Sequence, residues 1–321
     1  MSLHPMSLHL ATRGSELALW QARTARQHLS GSRPGEQVEL HEVRSSGDRD
    51  QATALARFGR IGIFTVEVDN AVLDGRAQVG VHSLKDMTTT LQDGIVLGAV
   101  LARGPVEDVL VCGESLHQTR LEELPAGSTV ATGSLRRRAM IAACRPDLET
   151  VELRGNVGTR LEKLDEGQAT ALLMARAGFV RLGLDGRISQ VLDTTTFLPA
   201  VGQGIVGLTC KDEDTETREL LAGINHRPSW LAALAERSVL RELRGGCNVP
   251  MGGHATLEGD VLTLRARVLS LDGRRAVSTT QSTTLTGGLE GDDGLAEALG
   301  LAAATALLEE GAGELVEEAR Q

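Results

Sequence analysis

Through its first two-thirds the chain alternates short aliphatic and β-branched runs with stretches of helical period, the pattern of α/β units with mainly parallel sheets. The apolar runs predict strands over residues 8–12, 38–43, 78–82, 95–101, 109–112, 129–132, 150–153, 169–174 and 205–208. The clearest helix starts at Asn156, a good N-cap, behind which Val157, Leu161 and Leu164 fall on one face. Another follows Ser15, with Leu17 and Trp20 inward. Beyond Arg227 the pattern changes. A helix opened by Pro228 and Ser229 lines up Leu231, Leu234, Leu240 and Leu243, and Gly245 and Gly246 end it, so Cys247 falls in a loop. Period-two segments follow, with Leu262, Leu264, Ala266 and Val268 in the first and residues 276–284 in the second. Asp272 and Gly273 join them as an antiparallel hairpin. After a loop at 287–294 a terminal helix begins near Asp293, and 314–321 reads as its frayed, solvated end.

At 321 residues the chain is long for one core, and two or three compact units are expected. It has no uninterrupted apolar run long enough to span a bilayer, and its first ten residues lack the pattern of an export signal, so a cytoplasmic protein without a membrane partner is expected. Four separated cysteines form no C-x-x-C pair, which argues against zinc ribbons and for reduced thiols. A net charge of −10 argues against a nucleic-acid partner. The charge is uneven: residues 130–181 carry nine basic against six acidic side chains, +3 against −13 for the remainder. That clustering suggests a local anion site, rich in the arginines that bind carboxylates in bidentate fashion.

The segment Gly202-Gln203-Gly204-Ile205-Val206-Gly207 spells a dinucleotide fingerprint but runs into a strand-like stretch rather than a helix, so a nucleotide cofactor is rejected. No P-loop, zinc-protease or serine-hydrolase motif is present. Thr132-Gly133-Ser134-Leu135-Arg136-Arg137 joins a strand to a helix with hydroxyls, a flexible glycine and arginines at the helix's amino end, where anions are favoured and arginines are not. Arg154-Gly155-Asn156-Val157-Gly158-Thr159-Arg160 repeats the arrangement, and Thr12-Arg13-Gly14-Ser15 supplies a third instance. Together they point to a ligand with several carboxylates, shared by two α/β domains. Asp86, past the end of a buried strand, stands where open sheets place ligands, although the local sequence alone favours a helix-cap or turn carboxylate beside Lys85. Cys247 is a loop thiol able to act as a nucleophile, although a lone loop cysteine with no adjacent histidine or basic residue is more often inert.

These segments, with Ala11 to Gln21, Val81-His82-Ser83, Pro199 to Gly204 and Gly245-Gly246-Cys247, resemble the porphobilinogen deaminase (hydroxymethylbilane synthase) family in six collinear motifs between about residues 8 and 311. The resemblance implies two α/β domains similar to type II periplasmic-binding-protein domains plus a C-terminal α+β domain. Their expected bounds are 1–102 with 202–222, 103–201, and 223–321. It implies a monomeric transferase of porphyrin biosynthesis, with no metal requirement, that condenses four porphobilinogen molecules, with release of ammonia, on a dipyrromethane primer. Cys247 would carry that cofactor through a thioether. Asp86 matches the family's catalytic aspartate, assisted by Lys85 and Arg13. Ser83, Lys85, Asp86, Thr132, Ser134, Arg136, Arg137, Arg154 and Gly155 fall at cofactor-binding positions, and Arg13, Ser15, Gln21, Phe64, Arg154, Arg160, Arg181 and Gln203 at substrate-binding ones. The chain departs from the family pattern at Glu16, Ile61 and Thr88. The competing readings are a divergent paralogue and a non-catalytic carboxylate-binding protein of the periplasmic-binding type.

Overall fold

The computed structural model describes residues 7–32, 37–43, 65–244, 249–286 and 291–320. In chain order the elements are β1 (Leu8–Arg13), α1 (Glu16–Ser32), β2 (Val38–Val43), α2 (Val66–Leu73), β3 (Val79–Ser83), β4 (Ile95–Val100), β5 (Asp108–Cys112), β6 (Thr129–Ala131) and α3 (Leu135–Cys144). There follow β7 (Glu149–Val151), α4 (Val157–Asp165), β8 (Ala171–Ala175), α5 (Arg176–Leu182), β9 (Gln190–Val191), β10 (Val206–Lys211), α6 (Thr215–Ala222) and α7 (Arg227–Glu242). The chain ends in β11 (Met251–Glu258), β12 (Val261–Leu269), β13 (Ala276–Thr284), α8 (Asp293–Glu309) and α9 (Ala312–Arg320).

The chain divides into two compact units. The first comprises Met1–Arg103 with Ile205–Trp230. Its sheet has the order β2-β1-β3-β10-β4, with β1 parallel to β2 and β3, and β10 antiparallel to β3 and β4. Helix α1 covers one face through Ala22, Ala25 and Leu29 against Leu8, Leu10, Val79 and Val81. Helix α2 brings Val68 and Ala71 to Ala11 and Val43. The inward stripe of α1 is therefore Gln21, Ala22, Ala25 and Leu29, whereas Leu17 and Trp20, expected inside, are half-buried. The small Ala22 and Ala25 let the helix lie close to the sheet, and Trp20 falls beside that stripe.

The second unit comprises Gly104–Gly204 with Leu231–Gln321 and holds two sheets. One has the order β7-β6-β8-β5-β9, with β6 parallel to β7 and β8, and β5 antiparallel to β8 and β9. The other is the antiparallel β11-β12-β13, whose inner face packs Leu262, Leu264, Ala266 and Val268 against Leu299, Ala303 and Leu307 of α8. The expected period-two hairpin is thus in place. The tail differs from expectation: Ala312–Arg320 is a helix that buries Ala312, Leu315 and Val316 in the same core, because its two large apolar side chains fall on one face among glutamates. The glycines of the rejected nucleotide motif lead into β10, a strand, in keeping with that rejection. No helix among the described residues is long and apolar enough to cross a membrane.

Candidate active site

In the first unit β1 and β3 run parallel as neighbours, so Arg13 and Ser83 end their strands at the same sheet edge, the edge at which open α/β sheets bind ligands. Past β1 the chain turns into α1 at Ser15, whose Oγ accepts from the Ala18 N–H at 3.4 Å and whose carbonyl accepts from Leu19 at 2.9 Å. Buried Thr12 donates its hydroxyl to the Ala18 carbonyl at 3.2 Å. Past β3, Gln21 reaches across from α1 and donates to Ser83 Oγ at 2.8 Å, bringing two of the expected site residues together. The next three residues, Leu84–Asp86, form a 3-10 turn. Leu84 is buried and donates its N–H to the Ile205 carbonyl, and the N–H of buried Met87 returns to the Leu84 carbonyl. Between these two anchors Lys85 is half-buried and Asp86 is exposed.

The second unit repeats this construction. Strands β7, β6 and β8 are parallel neighbours, and each is followed by a helix or a capped turn at the same edge. After β6, Thr132 is buried and its Oγ1 accepts from the Ser134 N–H at 3.3 Å; Ser134 caps α3 by accepting from Arg137 N–H. After β7, Asn156 caps α4, accepting from the N–H of Thr159 at 2.9 Å and from its hydroxyl at 3.1 Å. Gly155, between Arg154 and that cap, has φ +129°, and a Cβ there would lie 2.8 Å from Thr159, so the turn requires glycine. Arg154 is exposed, with Glu152 at 3.2 Å; Arg160 is half-buried. In α5, Arg181 donates to the Gly204 carbonyl at 2.7 Å, and burial pushes its pKa down to about 10, which leaves it cationic at neutral pH.

Arg136 and Arg137, expected to hold ligand carboxylates, are buried on an acid that the sequence reading passed over. Asp108, at the start of β5, is 0% exposed and takes Arg136 through Nη1 at 2.7 Å and Nη2 at 3.2 Å, and Arg137 through Nη2 at 2.8 Å and Nε at 3.1 Å. The remaining Arg137 Nη1 donates to the Leu173 carbonyl, and Arg136 Nη1 also to that of Leu198. Gln203, likewise fully buried, donates to Asp108 at 2.9 Å and to the Val106 carbonyl at 2.7 Å. Burial raises the Asp108 carboxyl, but the two guanidinium groups outweigh it and hold the acid well below the usual carboxylate range. The available signal was an acid immediately before a wholly apolar strand, Asp108-Val109-Leu110-Val111-Cys112. Such an acid needs a buried partner. Phe64 and Cys247 lie outside the described residues. Among those described, no group of three or more His, Cys, Asp or Glu is placed to hold a metal ion.

Residues 8–219 match the family described as porphobilinogen deaminase, dipyromethane cofactor binding domain, and residues 230–309 match the porphobilinogen deaminase C-terminal domain. The chain is also 44% identical over 313 residues to the porphobilinogen deaminase of Nitratidesulfovibrio vulgaris, covering 97% of this chain and 96% of that one. The chain belongs to the porphobilinogen deaminase family. It is accordingly a transferase, a hydroxymethylbilane synthase of porphyrin biosynthesis, with dipyrromethane as its cofactor. Among solved structures it is similar to the VFT2 domain of Bordetella pertussis BvgS (TM-score 0.42, 16% identity, 68% of this chain and 86% of that one). It is also similar to a TRAP periplasmic solute binding protein from Desulfovibrio salexigens (TM-score 0.42, 10% identity, 69% and 73%). At those scores neither likeness bears on function. The donor set of this chain suits a polycarboxylate cofactor: guanidinium groups, hydroxyls and the amino ends of capped helices, with a glycine of positive φ where the backbone turns between Arg154 and Asn156.

Proposed function

We propose that this chain joins four porphobilinogen molecules, releasing an ammonia from each, into linear hydroxymethylbilane on a dipyrromethane primer attached through a thioether to Cys247. The observation that carries the reading is the exposed carboxylate of Asp86, held on a turn between buried anchors at the strand edge shared with Arg13, in a chain belonging to this family. Arg13, Ser15, Ser83 and Lys85 supply the cationic and hydroxyl groups beside it, and Thr132, Ser134, Arg154, Arg160 and Arg181 hold acetate and propionate groups. Arg136, Arg137 and Gln203 act through Asp108, fixing the first turn of α3 and keeping positive charge behind Thr132 and Ser134.

When bound, dipyrromethane supplies a nucleophilic pyrrole carbon and a set of carboxylates by which it is held. Loss of ammonia from porphobilinogen leaves positive charge on the substrate, and Asp86 stabilises that charge while accepting hydrogen bonds from pyrrole N–H groups. Arginine contacts to the substrate's carboxylates hold the reacting carbons in place, which replaces a bimolecular encounter by a positioned step. We propose further that the chain works as a monomer in the cytoplasm, in three domains, the second unit containing two of them.

Intact mass tests the primer. The purified protein is expected to exceed its sequence mass by two linked pyrrole units, and Cys247→Ser to lack that excess. Asp86→Ala, at an exposed position, should keep the wild-type unfolding transition and lose porphobilinogen consumption. A free Cys247 thiol in an active preparation, or normal turnover by Asp86→Ala, overturns the reading.

A further inference from the structure

Behind the turn that carries Lys85 and Asp86 lies a buried polar triangle which the chemistry above does not use. His82, on β3, is 4% exposed. Its Nε2 lies 3.0 Å from Asp69 Oδ1 on α2 and 3.1 Å from Thr209 Oγ1 on β10, and the Thr209 hydroxyl donates to the same Asp69 oxygen at 3.0 Å. Asp69 is 4% exposed and Thr209 fully buried. A carboxylate oxygen can only accept, so this geometry makes His82 Nε2 the donor toward Asp69. Room for the triangle is made by Gly80, which shares a face of β3 with His82: a Cβ there would lie 2.4 Å from Thr209 Oγ1 and 2.9 Å from His82 Nε2.

We propose that His82, Asp69 and Thr209 are positioning residues that set the height and twist of the end of β3, and through it the placement of Lys85 and Asp86. The strand end is gripped on both faces. Ser83 takes Gln21 from α1 on one side, and His82 takes Asp69 and Thr209 from α2 and β10 on the other. Asp86 follows four residues later on a turn whose own anchors, Leu84 and Met87, are buried. A buried pair of this kind adds little net stability over well-packed apolar side chains, since desolvation offsets most of its attraction. What it adds is direction: hydrogen bonds to two other elements fix where the strand sits, and apolar contacts alone do not. A misplacement of about 1 Å at a reacting group costs on the order of a hundredfold in rate.

The proposal rests on the reading that Asp86 does the chemistry, and Asp86→Asn in the same series tests that reading separately. The holoenzyme is compared with His82→Gln, with His82→Leu, and with a triple variant, His82→Leu with Asp69→Leu and Thr209→Val. His82→Gln keeps an N–H at the same reach. The triple variant replaces the triangle by apolar groups and leaves no orphaned partner. Thermal unfolding, intact mass for primer content, and kcat and KM for porphobilinogen are measured for each. The expected result is a triple variant that folds and loads the primer as wild type does, with kcat lowered about tenfold or more and KM little changed. His82→Gln should recover most of that kcat. A folded, primer-loaded triple variant with wild-type kcat overturns the proposal, as does a kcat loss in His82→Leu that tracks its loss of stability and vanishes in the triple variant. Normal turnover by Asp86→Asn overturns the reading beneath it as well, whereas an inactive Asp86→Asn beside a fully active triple variant overturns the positioning role alone.

Discussion

At the scale of single residues, two carboxylates of this chain do opposite work because their surroundings differ. Asp86 is exposed and, among the described residues, makes its turn without a buried partner of opposite charge; Asp108 is sealed from solvent and saturated by Arg136, Arg137 and Gln203. Replacing Asp108 by Asn leaves two buried guanidinium groups with less than their compensating charge. That change should cost about 3–5 kcal/mol in urea unfolding at neutral pH. The pH dependence has a definite sign. The folded-state pKa of Asp108 lies below its unfolded value, so its contribution is fully present above about pH 4 and is lost as pH falls below that range. The gap in unfolding free energy between wild type and Asp108→Asn should therefore narrow as titration proceeds below that pH. A constant gap would mean that the carboxylate's charge is not what stabilises the cluster. None of this pairing was legible in the sequence, where Asp108 is 28 residues from Arg136 and 95 from Gln203. Residue types gave an anion site; the fold decided which arginines already had their anion.

At the scale of elements, the strand-to-helix junctions were readable because their physics is local. Asn156 announces α4 by its type and by the apolar positions after it, and the structure has that cap, with Oδ1 serving both the N–H and the hydroxyl of Thr159. Asn156→Ala should cost about 1 kcal/mol in chemical unfolding, whereas Asn156→Asp, which keeps the acceptor, should cost little. A loss equal in the two variants would assign the effect to something other than capping. Elements whose cause is distant were missed or misjudged. Strand β9 is two residues long and exists by pairing with β5. Strand β11 carries Gly252 and Gly253 right after its first residue, Met251, and such residues weaken a strand pattern. Gly252 is nonetheless required, because a Cβ there would lie 2.7 Å from the Leu198 carbonyl. Helix α9 looked like a solvated tail until Leu315 and Val316 had a core to enter.

For the whole molecule, the feature that a linear reading handles least well is a chain that leaves one unit and returns to it. It passes between the units at residues 103–104, 204–205 and 230–231. Two of these passages meet within the second unit, where the Gly104 N–H donates to the Gly204 carbonyl at 2.9 Å and Arg181 donates to the same carbonyl at 2.7 Å. The Gly202 N–H, just upstream, donates to the buried carboxylate of Glu236 at 2.7 Å, and Glu236 also takes the Ala255 N–H at 2.7 Å. Gly204, in the segment that spelled a nucleotide motif, thus has a different purpose: it lets two backbone segments approach each other. At Gly204, φ is +85° and a Cβ would lie 2.7 Å from the Gly104 carbonyl and 2.8 Å from that of Pro105. Both obstacles are main chain, which a rotamer change cannot relieve. Gly204→Ala should therefore destabilise the protein by about 3 kcal/mol, combining the left-handed backbone penalty with overpacking. Its measurable consequence is a lower urea midpoint at an unchanged slope. Gly113→Ala, where a Cβ meets nothing within 4 Å and φ is negative, is the matched control and should move the midpoint little. Equal effects from the two substitutions would show that the close approach at Gly104 and Gly204 is not what demands glycine there.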